Sequence, residues 1–309
     1  MKYLTDEPMS AHTTMRVGGC ADRLIMIDTQ EELTEQLAIC RREGVPFVVI
    51  GRGSNLLVSD DGFRGTVICT AGGFCGIREE GTASVDAENG DGAAGSSGTP
   101  LRVSFWAEAG ASLAAVAAWA RDHELTGMEF AAGIPGTVGG GIRMNAGAYG
   151  GELGQVTVRV RVLTADGTVR DRTAEEMDFS YRHSVVQENG EIVLSALFAL
   201  ERGERGAIAA RMEELAEKRR DKQPLEYPSA GSTWKRPEGS FAAKLIEEAG
   251  CKGLSVGDAQ ISEKHAGFLI NRGQASAADI RKLMAVVEQR VLDQSGVKLT
   301  PEIEMIGSF

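Results

Sequence analysis

Residues 133–151 read GIPGTVGGGIRMNAGAYGG, and the reading of this stretch decides the fold. Eight of its nineteen positions are glycine and its only charge is Arg143. Glycine in a regular element costs roughly 0.5–1 kcal/mol relative to alanine, so an ordered run this rich in glycine needs something to offset it. A flexible linker would be polar, whereas Ile134, Val138, Ile142, Met144 and Tyr149 are interleaved here. Two readings stand. One is a backbone surface without Cβ atoms, on which a flat or phosphorylated ligand lies; the other is a tight structural turn.

A second glycine motif, GRGSN at 51–55, follows what reads as a short βαβ unit. RLIMI (23–27) is a strand, and Thr29 with Glu32 three residues on is a capping box. Leu33, Leu37 and Cys40 form the apolar stripe of the helix it opens, Gly44 and Pro46 close that helix, and FVVI (47–50) is the next strand. Gly51-x-Gly53 is not a dinucleotide fingerprint. Position 56 is leucine, and LLVSDDGFRG reads as strand and turn, not as the helix whose N-terminus would hold a pyrophosphate. A nest of backbone N–H groups can hold phosphate without a helix, and the side chains of Ser54 and Asn55 would add donors.

Residues 81–100, GTASVDAENGDGAAGSSGTP, have no sustained apolar period and read as a mobile insertion. Strands are expected at 102–110, 155–163, 168–172 and 191–200, with an Asp-Gly turn at 166–167 and a helix capped by Ser112. Beyond residue 204 come a charged helix, a helix capped by Ser240, and a third opened by a Ser276/Asp279 box. VKLTPEIEMIG then alternates as a strand, with Ile303 and Met305 on one face. The expected division is a βαβ subdomain over 1–70, a β-rich subdomain over 71–203 and an α+β domain over 204–309.

The bulk properties narrow the function. A chain of 309 residues, 42% hydrophobic and 25% charged, reads as a soluble globular protein of two or three domains. A formal net charge of −11 argues against nucleic acid or an anionic membrane as partner. Five widely spaced cysteines without CxxC form neither a disulfide framework nor a zinc pattern, which fits a reducing cytoplasm. The N-terminal residues lack the apolar core of a signal peptide, and the four histidines lack metal-ligand spacing.

Four polar groupings carry possible chemistry: Ser180-Tyr181-Arg182; Arg219, Arg220 and Lys222 at a helix end; AGSTWKRP (230–237); and Pro301-Glu302. Each has a structural explanation by itself, such as a basic helix end answering its own dipole. Their order is more informative. HTTMRVGG (12–19), GRGSNLLVSDDGFRG (51–65), the 133–151 stretch, DFSYRHS (178–184), AGSTWKRP and LTPEIEMIG (299–307) together resemble the UDP-N-acetylenolpyruvoylglucosamine reductases, from about residue 10 to 307.

That resemblance implies an α+β protein, with a two-part FAD-binding fold of the vanillyl-alcohol-oxidase type and a C-terminal substrate-binding domain. It implies noncovalent FAD, NADPH as hydride donor, and a UDP-sugar enolpyruvyl ether as small-molecule substrate. Gly51, Arg52, Gly53, Ser54 and Asn55 are matched to the FAD cradle. So are Gly133, Pro135, Gly136, Thr137, Gly140, Asn145 and Gly147, with bare backbone expected to let the flavin and its pyrophosphate approach closely. Arg182, Ser232 and Glu302 are matched to the catalytic set, and Tyr149, Arg219, Lys222 and Lys235 to substrate binding. Two departures stand out. The tyrosine-bearing lobe of one subclass is absent after Arg182, and Arg236 stands where other members have asparagine, so no uridine contact is carried over to it. Other readings of the sequence are an oxidase with flavin joined covalently at His12 or Cys20, and a nucleotide-binding module without catalysis.

Overall fold

The computed structural model describes residues 1–83 and 102–309. Most of the insertion expected over 81–100 lies outside the described residues.

The N-terminal segment opens with β1 (Lys2–Pro8), which the sequence did not signal because its burial shows no apolar alternation. After β2 (Cys20–Met26) come α1 (Gln30–Glu43), β3 (Phe47–Ile50), β4 (Leu56–Val58) and β5 (Phe63–Cys69). The expected stripe of Leu33, Leu37 and Cys40 is buried. Thr29 Oγ1 accepts the N–H of Glu32 at 3.3 Å, and the Glu32 carboxylate reaches back to the N–H of Asp28, one residue short of a reciprocal box. The sheet order is β1-β2-β5-β3, with β3 parallel to β5. The βαβ unit is therefore split, with β5 lying between its two strands.

The middle of the chain builds an antiparallel sheet. β6 (Ile77–Ala83) pairs with β7 (Arg102–Glu108), so Gly81, Thr82 and Ala83 belong to a strand, not to the insertion in which they were expected. α2 (Leu113–Asp122) is capped by Ser112, whose Oγ accepts the Ala115 N–H at 3.1 Å. Then come β8 (Leu125–Thr126), α3 (Val138–Arg143), β9 (Gly147–Ala148) and β10 (Gly151–Glu152). β11 (Thr157–Leu163), β12 (Val169–Thr173) and β13 (Ile192–Arg202) complete the order β12-β11-β13-β7-β6, with β8 beside β13. The Phe105 ring centroid lies 4.6 Å from that of Trp119 and 5.6 Å from that of Phe198, at the centre of this core.

The last third comprises α4 (Arg205–Lys222), β14 (Ser229–Ser232), α5 (Ala242–Glu248), β15 (Ser255–Val256), β16 (Ala259–Ile261), β17 (Phe268–Asn271), α6 (Ala277–Ser295) and β18 (Glu304–Ile306). The strands β14-β17-β16-β15 form one antiparallel sheet. The Ile280, Leu283, Met284, Val287 and Val291 stripe of α6 is fully buried. Ser240 does not cap α5; Phe241 holds that position without a side-chain bond. The strand expected over 297–307 shrinks to Glu304–Ile306, and Met305 is 37% exposed while Ile303 is buried. The reason is its pairing: β18 lies parallel to β4, with Glu304 opposite Leu56 and Ile306 opposite Val58.

By contacts the chain forms two units. One holds Met1–Ile25, Ile39–Cys69 and Lys218–Phe309; the other holds Met26–Ala38 and Thr70–Glu217. In the first unit a single core joins Met15, Val17 and Leu57 to Trp234, Ile246, Met284 and Val287. Among the described residues no helix is long and apolar enough to cross a membrane.

Asp60, in the turn after β4, accepts the N–H groups of Ala277 (2.7 Å) and Ala278 (2.9 Å) and so supplements the Ser276 cap of α6. Replacing it with alanine is expected to cost about 1–2 kcal/mol, the range of a lost charged cap, read from urea unfolding; asparagine should recover part of that.

Candidate active site

The GRGSN loop connects β3 to β4, and residues 12–14 fix its shape. Gly53 has φ +60°, and a Cβ on it would overlap the carbonyl oxygen of His12 and lie 2.9 Å from Thr13 Cα. Thr14 donates its N–H to Gly53 O at 3.2 Å. The expectation that Gly53 stays bare for a pyrophosphate is therefore corrected: the absent Cβ makes room for the protein's own backbone. The loop's donors face differently. Among the described residues the N–H groups of Arg52, Gly53, Ser54 and Asn55 find no acceptor in the chain, which suits a nest for an anion. The side chain of Asn55 spends one of its two Nδ2 N–H donors on Glu302 O, at 3.0 Å.

That bond begins a ladder through the candidate catalytic residues of the first unit. Glu304 N donates to Asn55 O at 2.9 Å, Glu302 N to Thr233 O at 2.8 Å, and Lys235 N to Thr300 O at 2.8 Å. Trp234 pairs with Pro301 across it. The segment carrying Glu302 is thus held along both edges, by the nest loop on one side and by the Ser232–Lys235 turn on the other. Ser232 ends β14, where a register shift against β17 coincides with Gly231 at φ +79°. Such a bulge re-aims the following side chain, and Ser232 is exposed while Thr233 and Trp234 are buried. Trp234 is anchored through Nε1 to Glu288 Oε1 at 2.9 Å, and Thr233 N bonds Gly267 O at 2.9 Å. Two residues before Gly267, burial lowers the pKa of His265, which favours a neutral ring whose Nδ1 accepts the Gly267 N–H.

The basic end of α4 belongs to the same unit. Arg219, which is partly buried, and the exposed Lys222 sit in its last turn, and Lys264 Nζ joins them by bonding Arg220 O at 2.6 Å. Sequence reasoning passed over Gln223 here. Its Oε1 is buried and lacks a partner among the described residues, a property invisible in composition or spacing.

The second unit holds the rest of the expected site. The 133–151 stretch contains a helix, α3, that its glycine content hid. Several of its glycines are required by packing. A Cβ at Gly141 would stand 2.8 Å from Leu153 Cδ1, and one at Gly147 would stand 2.6 Å from Gly151 O. Gly140 differs, since beyond its own helix backbone and chain neighbours nothing among the described residues would come nearer than Thr137 Oγ1 at 3.8 Å. That Thr137 hydroxyl is buried without a partner among the described residues. Gly133 and Pro135 are exposed, and Gly136 accepts the Leu113 N–H.

Arg182 occupies the second corner of a two-residue turn closed by reciprocal bonds between Ser180 and His183. Its φ is +55°, a geometry that turns normally assign to glycine or asparagine. Its Nη2 bonds Gly147 O at 3.2 Å, and its Cζ lies 5.0 Å from the Tyr181 ring centroid. Asn145 is completely buried and ties the two segments together: Nδ2 bonds Ser180 O at 3.0 Å, and Oδ1 accepts the Gly154 N–H at 2.8 Å. Asn145, the exposed Tyr149 and Asp178 also have positive φ, so of the five non-glycine residues of this unit in that region all but Glu124 lie in the glycine stretch or the segment of Arg182.

Residues 21–172 match the FAD binding domain model, which places the chain in the FAD-binding class. Residues 223–306 match the C-terminal domain of UDP-N-acetylenolpyruvoylglucosamine reductase. Relatives of that name include one from Agathobacter rectalis, 51% identical over 99% of this chain and 94% of its own length. Another, from Caldanaerobacter subterraneus subsp. tengcongensis, is 45% identical over the same shares. The crystal structure of UDP-N-acetylenolpyruvylglucosamine reductase from Thermus caldophilus superposes with a TM-score of 0.77 at 34% identity, covering 99% of this chain and 98% of that one. The chain belongs to the UDP-N-acetylenolpyruvoylglucosamine reductase family, and its α+β fold class is the expected one.

Gly53→Ala separates packing from ligand approach. It is expected to destabilise the first unit by more than the roughly 1–2 kcal/mol of left-handed strain alone, seen as a lower unfolding midpoint. A variant that folds as well as the native chain but is colourless would restore the ligand role.

Proposed function

We propose that this chain reduces UDP-N-acetylenolpyruvoylglucosamine to UDP-N-acetylmuramate in the cytoplasm, with noncovalent FAD and with NADPH as donor, in peptidoglycan precursor synthesis. Family membership supports the reaction class. The observation that carries the residue assignment is the ladder holding Glu302 between the nest loop and the Ser232 turn.

The residues present fit an FAD. In the first unit, the amides of Arg52–Asn55, which have no acceptor among the described residues, suit its pyrophosphate. When bound, FAD supplies the hydride relay from NADPH to C3 of the enolpyruvyl group. What remains is charge and proton management by the chain. Hydride addition at C3 places negative charge at C2 and on the carboxylate oxygens, and Arg182 holds that charge through its guanidinium. Its turn is strained and braced by Asn145 and Gly147, a conformation worth keeping where position matters more than stability. Ser232 delivers a proton to C2 and Lys235, three residues on, favours release of that proton; Glu302 assists on the enol side. Tyr149, exposed beside the glycine stretch, contacts substrate.

Arg219 and Lys222 take the UDP phosphates against the −11 charge of the whole chain, and Gln223 offers its buried acceptor to a substrate N–H or O–H. By function we divide the chain into FAD-binding parts over 1–70 and 71–203 and a substrate-binding part over 204–309.

The decisive experiment is anaerobic. NADPH is expected to bleach the flavin of the native protein, and UDP-N-acetylenolpyruvoylglucosamine to return the colour. In Ser232→Ala the bleaching should keep its native rate while the return of colour slows roughly 10²–10⁴-fold, the loss expected for a general acid. Cysteine at 232 should recover part of it. Slowing of both steps, or of neither, removes Ser232 from the proton-donor role.

Lys222→Ala and Gln223→Leu are expected to raise KM for the UDP substrate with kcat little changed. The Lys222 effect should be larger at low ionic strength, since the lost contact is screened by salt. A fall in kcat at constant KM would move either residue from binding to chemistry.

A further inference from the structure

Four buried side-chain atoms have no hydrogen-bond partner among the described residues: the hydroxyls of Thr14, Thr66 and Thr137, and Oε1 of Gln223. Buried polar atoms are nearly always bonded, so each orphan points to a missing partner or a tolerated cost. Thr14 is the most informative of them because the chain treats its neighbour differently. Thr13 Oγ1 is satisfied internally by Val17 O at 3.2 Å, whereas the Thr14 hydroxyl, also buried, has no partner among the described residues.

Its position is also fixed. The Thr14 N–H bonds Gly53 O at 3.2 Å, and the backbone of His12 and Thr13 packs against Gly53 where a Cβ would otherwise be. The Thr14 backbone is therefore held beside a loop whose own amides, Arg52 to Asn55, have no acceptor among the described residues. Successive backbone donors of this kind concentrate positive potential, and a hydroxyl at their edge can add an O–H donor to the same anion. We propose that the Thr14 hydroxyl donates a hydrogen bond to an anionic oxygen of the FAD pyrophosphate seated on Gly51–Asn55. This rests on the FAD reading above and adds a ligand that lies outside the glycine motif. Removing the hydroxyl then has opposite effects on the two forms: the FAD-free chain loses an unsatisfied group, and the FAD-bound chain loses a charge-assisted bond.

The test compares the native full-length chain with Thr14→Val, Thr14→Ser and, as control, Thr66→Val, whose orphaned hydroxyl lies within β5. FAD affinity is measured by titration of FAD-free protein, melting with and without FAD, and the phosphorus resonances of bound FAD by NMR. Thr14→Val is expected to melt no lower than native without FAD and to bind FAD roughly tenfold more weakly. Its bound pyrophosphate signals should be shifted. Thr14→Ser should restore affinity and signals, and Thr66→Val should leave both native. Unchanged affinity and phosphorus signals in Thr14→Val would overturn the inference alone. So would an FAD-free Thr14→Val chain that melts lower than native and is not rescued by serine, since that marks a packing role. A native chain that takes up no FAD would overturn the cofactor reading, and this inference with it.

Discussion

The hydrogen bonds to the two main-chain groups of Glu302 are the constraint on which the first unit depends. Asn55 bonds its carbonyl and Thr233 its amide, so three segments far apart in sequence share one hydrogen-bonded ladder. A single backbone bond contributes only about 1 kcal/mol net, but a ladder fixes direction as well as energy. With both edges held, residue 302 cannot rotate its side chain to another face without breaking the register of β18 on β4. The same bonds hold the Ser232 turn, which is why a bulge at Gly231 can set an exposed serine in a defined place instead of leaving it at the end of a frayed edge strand. The shared core of Leu57, Trp234 and Met284 provides the stiff support beneath.

Local structure was legible where local rules govern it. The α1 stripe, the Ser112 cap, the Ser276/Asp279 box and the α6 stripe all follow from period and capping chemistry, which a single sequence carries in full. What failed were features decided by distant partners. Nothing in LLV at 56–58 says that it pairs with residues 304–306, and the Glu/Ile/Met alternation of 302–305 reads as a half-buried strand until that partner is known. β5 enters between β2 and β3 for the same reason. The six-residue α3 is held by its surroundings, Val138 N bonding Ala111 O and Gly139 N bonding Ala109 O, against a glycine content that propensity counts as non-helical.

The candidate site was legible as a set of segments but not as a division of labour within them. The glycines were expected to bare the backbone for a ligand, yet Gly53 and Gly141 bare it for the chain itself, and Gly140 alone of the three stands open. Asn55 and Asn145 look like ligand-facing amides in sequence, yet both bond backbone in the folded chain. Of the four buried groups without a partner among the described residues, only Thr137 was matched to a ligand from the sequence; the Thr14 hydroxyl before the glycine loop and the Gln223 carbonyl after the basic helix were not. Burial without satisfaction is a three-dimensional property, and a motif cannot display it.

The pairing of β18 with β4 has a consequence for how the protein is made. Asn55 and the residue whose carbonyl it binds are separated by 247 positions, so on a ribosome working at about 5–20 residues per second the nest waits roughly 10–50 s for its outer rung. Until then β4 leaves a ribosome with an unpaired edge and with Leu57 lacking its core partners. Closing of this rung is therefore a late event in synthesis. Nascent chains cut short before Glu304 would carry the whole glycine motif and still lack the strand that closes it.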